Sequence, residues 1–168
     1  MLIFLDTEFT DLDQPKLISL ALVTADGREF YVERNDFWEQ DCSDFVQENV
    51  LPFLNQVPEA ACNRAELSRR LCAWFDSLHE PATLVFDFTG DWLLLLQACG
   101  GGKPPSNIAD KLHLDNHTIC HPIFEKAQNA VYDQDQTLPA HHALADARAL
   151  KAGYEALVAF MAPIRRIK

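Results

Sequence analysis

Short apolar runs with the period of strands alternate along the chain with longer stretches that have the period of helices. Leu2 to Leu5 is apolar throughout and reads as a buried strand. Leu17 to Thr24 and Arg28 to Glu33 flank "ADG", an Asp-Gly turn, and predict a hairpin, so that three antiparallel strands open the domain. "SDFVQENVLPFL" starts with a Ser cap and is limited by Pro52, which predicts a short helix. In "NRAELSRRLCAWFDSL" Glu66 follows the capping residue Asn63 at capping-box spacing, and Leu67, Leu71, Trp74, Phe75 and Leu78 recur at helical spacing. A buried strand "ATLVFDF" follows, then a helix from near Asp91, "DWLLLLQAC", closed by Gly100 to Gly102. The last third reads as a loop, a helix "HPIFEKAQNAVYD", a loop through Pro139 and a long helix from about His142 to Phe160. The order βββαβαα predicts an α/β domain whose sheet is parallel wherever a helix returns the chain to it.

Composition narrows the class. With 168 residues, 48% of them hydrophobic, the chain is expected to form one domain over residues 1–168. No window approaches the roughly 20 apolar residues of a membrane span, and the first apolar run is too short for a secretory signal and is broken at Asp6. A cytoplasmic protein without a membrane partner is expected. The five cysteines are odd in number and scattered without a CxxC spacing, as reduced and mostly buried thiols would be. In "HLDNHTICH" the spacing of His113, His117 and His121 would suit zinc on one helix face, but the Leu-Asp-Asn context reads as a loop entering a helix. The balance of 14 Lys plus Arg against 25 Asp plus Glu gives net charge -11, and the longest basic run is the terminal "RRIK". That argues against extended duplex binding, which needs a basic face. A site that holds only the end of a strand, with metal ions as its positive charge, remains compatible.

Carboxylates at element boundaries supply the candidate chemistry. Asp6 and Glu8 in "DTEFTDL" are two apart on a strand and point to the same side of it. Asp91 opens a helix after a buried strand in "VFDFTGDW", and Asp146 lies on an apolar helix face between Leu144 and Leu150. Singly, Asp91 reads as a helix cap, Asp146 as a solvent-facing helix residue and "DTE" as a strand entering a turn. Together they suit hard divalent ions: a pair of Mg2+ or Mn2+ about 4 Å apart can activate water and stabilise the departing oxygen of a phosphodiester. Two such dications balance four carboxylates.

In order and spacing, "DTEFTDL", "DFTGDWLL" and "HHALADARAL" resemble the three motifs of the DEDDh family of 3′ to 5′ exonucleases, and the likeness spans nearly the whole chain. The short length and the "DTEF" opening look most like the small bacterial exoribonucleases of the ribonuclease AS type. The resemblance implies a ribonuclease H-like fold, a mixed sheet flanked by helices, and release of nucleoside 5′-monophosphates from the 3′ end of single-stranded RNA. It implies that Asp6, Glu8 and Asp146 bind one metal, that Asp6 with Asp91 holds a second, and that His141 is the base. It also allows a homodimer, for which "WLLLLQAC" and "YEALVAFMAPI" offer apolar surface, although buried helices explain both segments equally well.

Helix geometry alone would favour His142 over His141, because His142 and Asp146 stand at i and i+4. Pro139 places the helix start late, however, so His141 is expected on a loop folded over the metals, with His142 exposed or behind the ligands. A neutral imidazole, with a reference pKa of about 6.5, is suited to take the proton of the attacking water. Phe9, Thr10 and Leu12 are the expected substrate contacts, with Phe88 a further stacking candidate that core packing explains as well. Thr10, Asp11 and Leu12 stand where many family members have Thr-Gly-Leu, and Asp87 stands where Asn is frequent, which makes Asp87 a rival to Asp91. Glu8 or the backbone near Phe9 could read a 2′-hydroxyl. The rival functions are a single-stranded DNA 3′ exonuclease, a non-catalytic nucleic-acid-binding module, and a scaffold whose acidity serves solubility.

Overall fold

The computed structural model describes residues 1–100 and 102–165. Gly101 of the expected helix-closing triplet and all but the first residue of "RRIK" lie outside the described residues. The sheet is six-stranded, in the order β4-β3-β2-β1-β5-β6. Its strands are β1 (Leu2–Phe9), β2 (Leu17–Thr24), β3 (Glu29–Arg34), β4 (Ala61–Cys62), β5 (Ala82–Phe86) and β6 (Ile108–His113). The first three pair antiparallel, while β4 on β3, β5 on β1 and β6 on β5 are parallel. The helices are α1 (Asp44–Asn49), α2 (Arg64–Asp76), α3 (Thr89–Ala98), α4 (Asn116–Ile119), α5 (Pro122–Gln134) and α6 (Ala143–Arg165). This is an α/β architecture of the ribonuclease H-like kind, with a mixed sheet between helices.

Strand alternation sorts the core into two layers. Ile3, Leu5 and Leu84 pack with Leu71 and Phe75 of α2 and Leu94 and Leu95 of α3. Phe4 and Val85 point the other way, onto Phe124 of α5 and Leu150 of α6. Helices therefore cover both faces, and β2 is buried over all eight residues, as a central strand must be. On α6, Gly153 lets Phe124 close in, since a Cβ there would strike its ring.

Several elements differ from expectation for identifiable reasons. β6 forms where the sequence predicts a loop: it is an edge strand with exposed Asp110 and Lys111 and shows neither an apolar run nor alternation. β1 runs on to Phe9 rather than stopping at Leu5, because Asp6 and Glu8 occupy ladder positions opposite Ala21 and Ser19. Helix α2 is capped by Asn63, whose Oδ1 accepts the Glu66 N–H at 2.9 Å, but the Glu66 carboxylate turns to Arg69 and Arg70. Of the cysteines, Cys42 and Cys62 are buried but Cys72 and Cys120 are exposed, and none is in a disulfide. In the two segments with spare apolar weight, Leu94 and Leu95 are buried, whereas Leu93, Val158, Phe160 and Met161 are exposed. No described helix is long and apolar enough to cross a membrane.

Candidate metal centre

The parity of β1 sets the site. Asp6 and Glu8 share the side of Phe4, toward α6, while Thr7 shares the side of Leu5, toward α3. Asp146 sits in the first turn of α6 and Asp91 in the first turn of α3. Both helices thus aim their N-termini, with their partial positive charge, at the carboxyl end of β1. Carboxylate oxygens of Asp6, Glu8 and Asp146 lie within 4.8 Å of one another, and so do those of Asp6, Asp87 and Asp91. Asp6 belongs to both groups. Asp87 is therefore a companion of Asp91 rather than its rival. Nor is Asp91 a helix cap, since α3 begins two residues earlier and Phe88 holds the capping position.

Neighbouring side chains fix these carboxylates. The Thr7 hydroxyl donates to Asp91 Oδ1 at 2.7 Å. The Tyr132 hydroxyl donates to Asp146 Oδ1 at 2.7 Å, and the His141 N–H to Asp146 Oδ2 at 3.0 Å. Burial, and then the adjoining Asp146 carboxylate, push the Tyr132 phenol up, so it stays a donor. Composition gave no sign of Thr7 or Tyr132; the parity of β1 would have pointed Thr7 at the second layer, but Tyr132 needed the α5–α6 packing.

The electrostatics are those of a site short of positive charge. Burial, then the charge of Asp146, then that of Asp91, hold the Asp6 and Glu8 carboxyls well above the usual carboxylate range. Burial pushes Asp91 up to about 7 against the opposing Thr7 hydrogen bond, and it raises Asp146 and Asp87 as well. Among the described residues no Lys or Arg lines the cavity around these carboxylates. Asp6 Oδ2 and Asp91 Oδ2 are buried and have no hydrogen-bond partner among the described residues. Ligand oxygens around one hard cation at 2.0–2.6 Å lie at most about 4–5 Å apart, the spacing found in both groups. The donor set, its spacing and its orphaned oxygens all fit a metal ion.

Asp6, Glu8, Asp91 and Asp146 line a cavity of about 350 Å³ together with Phe9, Asp11, Leu12, Phe45, Phe88 and His141, while Asp87 stands behind it. Phe9 and Phe88 stack with ring centroids 5.7 Å apart, and Phe88 is 44% exposed, so core packing does not explain it. Gly90 permits that stack, since a Cβ there would overlap the Phe88 ring. Leu12 is 75% exposed at the mouth. Thr10, expected at the substrate, is instead buried outside the cavity, where its Oγ1 accepts the Lys16 N–H and shapes the loop.

The two histidines part company. His141 takes a positive φ of 66°, which ends the preceding loop and leaves its side chain at the cavity, edge-on to Phe45 at 4.9 Å. His142 directly precedes α6, and its carbonyl accepts the Asp146 N–H at 3.0 Å, but its side chain does not join the Asp146 carboxylate. His142 is buried against Tyr31, its Nδ1 accepting the Leu144 N–H, and burial pushes its pKa down to about 4. It is not exposed, as had been allowed. Phe45, which no motif indicated, reaches the site because Ser43 caps α1 and the Ser43 N–H bonds the Thr10 carbonyl.

Compared with known proteins, the chain matches no family model and no curated sequence. What the site can do must follow from its own residues. The "HLDNHTICH" segment contributes to neither metal-compatible group among the described residues. His113 ends β6, His117 lies on α4 and His121 caps α5, so the three never share a helix face.

Proposed function

We propose that the protein is a divalent-metal-dependent 3′ to 5′ exoribonuclease that hydrolyses the terminal phosphodiester of single-stranded RNA and releases nucleoside 5′-monophosphates. The observation that carries this reading is the pair of carboxylate groups joined through Asp6, beside His141. Two Mg2+ or Mn2+ ions, when bound, supply the positive charge that lowers the pKa of water and stabilises a departing oxygen. Glu8 and Asp146 would complete one ligand set around Asp6, and Asp87 and Asp91 the other. His141, next to Asp146, would take the proton of the attacking water and pass it to solvent, to which its side chain is open. Water adds to phosphorus, the bond to the 3′-oxygen of the preceding nucleotide breaks, and that oxygen takes a proton.

The cavity lies at the small end of ligand sites, suited to one terminal nucleotide rather than to a duplex. Phe9 and Phe88 would stack on its base, with Leu12 and Phe45 as walls. RNA over DNA rests on the resemblance to DEDDh exoribonucleases, with Glu8 or the backbone near Phe9 as the group that would read the 2′-hydroxyl. The test is a gel assay on 3′-labelled and 5′-labelled single-stranded RNA and DNA, with Mn2+ or EDTA, alongside Asp6→Ala. A Mn2+-dependent ladder receding from the 3′ end of RNA, absent in the variant, is expected. Equal cleavage of DNA would make the protein a general 3′ exonuclease, and no cleavage of either polymer would overturn the proposal.

A further inference from the structure

A second cavity, of about 330 Å³, opens beside the metal cavity and has the opposite electrostatic character. Lys16, Arg34 and Arg64 line it with Phe37 and Trp38, and its lining holds a single carboxylate, Asp36. In a chain of net charge -11 such a gathering of cations needs a reason. Internal pairing does not exhaust them. Arg34 Nε reaches Asp36 at 2.8 Å and Lys16 reaches Asp41 at 2.7 Å, but the Arg64 guanidinium forms no ion pair among the described residues. Trp38 leaves 67% of its surface in solvent, which folding alone does not favour for so large an apolar ring.

The two cavities are built on the same two elements, the end of β1 with its partner strand and helix α3. Phe9 walls the first, and Leu17, its cross-strand partner, walls the second. On α3, Asp91 faces the first and Leu94 the second, about 4.5 Å further along the axis. A shallow concavity lined by Asp11, Asp13, Lys16 and Asp41 shares Asp11 with the first cavity and Lys16 with the second, so a strand that runs from the carboxylates past this acidic stretch comes to the cations of the second cavity.

We propose that the second cavity is a subsite for the part of a single strand that lies 5′ of the bond that is cut, with phosphates on Lys16, Arg34 and Arg64 and a base stacked on Trp38. The inference rests on the exonuclease reading of the metal cavity, and it gives the enzyme a preference for length that the metal cavity alone lacks. Aromatic stacking beside cations is how proteins hold single strands without reading sequence.

The test has two arms. In EDTA, binding of a 5′-labelled RNA octanucleotide is followed by fluorescence anisotropy for the wild type, Trp38→Ala, Trp38→Phe and Arg64→Ala. With Mn2+, KM is compared for the octanucleotide and a dinucleotide. Trp38→Ala is expected to weaken octanucleotide binding about tenfold and Trp38→Phe to restore most of it. Arg64→Ala should weaken binding and reduce its salt slope by about one unit. In both alanine variants the octanucleotide KM should rise more than the dinucleotide KM. Unchanged binding in both alanine variants, or equal losses on the two lengths, would overturn the subsite and leave the exonuclease reading intact. If the wild type cleaves nothing, the exonuclease reading fails by itself. The EDTA arm then still decides: octanucleotide binding that the alanine substitutions remove keeps a single-strand site, and its absence or persistence removes one.

Discussion

Glu66 on α2 and Asp91 on α3 are both first-turn carboxylates, and the protein treats them in opposite ways. Glu66 accepts hydrogen bonds from Arg69 at 2.6 Å and Arg70 at 2.7 Å, and these hold its carboxyl down to about 2. Asp91 is buried, has one neutral donor and two acidic neighbours, and is pushed up to about 7. One carboxylate is satisfied by the protein; the other keeps an oxygen with no partner among the described residues, where a metal ion could bind. Unpaired buried charge is costly, and gathering five carboxylates with no Lys or Arg beside them among the described residues gives up stability at that point. A dication bound there would restore it.

The sharpest contrast is in activity. His141→Ala is expected to lower kcat about 10²- to 10⁴-fold while leaving metal binding in place. His142→Ala, which empties a buried position packed on Tyr31, should lower the melting temperature and leave kcat of the folded protein nearly unchanged. Steady-state kinetics beside melting curves would show it. Equal loss of kcat in both would break the distinction.

Ligation should appear next, as stability. At about 100 times its dissociation constant, Mn2+ adds about 2.7 kcal/mol. For a chain of this size that is a rise of about 5–10 °C in Tm, reversed by EDTA and absent in Asp6→Asn. A scaffold whose acidity serves solubility would show no such rise.

A smaller effect follows the pH. Between the unfolded value of 3.8 and about 7, folded Asp91 holds more protons than unfolded Asp91, so its contribution to stability falls as pH rises. His142 has the opposite sign: with a folded value of about 4 against 6.5, it is bound to fewer protons when folded, and stability rises with pH across that window. In EDTA, Asp91→Asn should therefore melt above the wild type at pH 8, and the gap should close by pH 4. A gap that does not depend on pH would mean that Asp91 is not held protonated by the fold. Least of all, Glu66→Gln should change Tm only slightly at either pH, because exposed pairs contribute little.

Much of the site was legible because strand parity and helix starts are local. Asp6 and Glu8 had to share a side of β1, and Pro139 delayed α6 enough to free His141 for the cavity. What escaped depended on distant parts of the chain. β6 is specified by its pairing with β5 rather than by its own polar sequence, and Tyr132 meets Asp146 only because α5 packs along α6. Asp87, at a position where the resembling family often has Asn, reads in sequence as a competitor of Asp91; the fold sets it just past β5, beside Asp6. Thr10 lies outside the cavity because its hydroxyl is used within its own loop.

The most direct measurement is a calorimetric titration of the metal-free protein with Mn2+, repeated with Asp6→Ala. Saturable uptake of two ions per chain by the wild type, with both lost or strongly weakened when the shared Asp6 is removed, is the predicted result. Uptake that never saturates, or that is unchanged in Asp6→Ala, would contradict the claim that these carboxylates are gathered to hold metal.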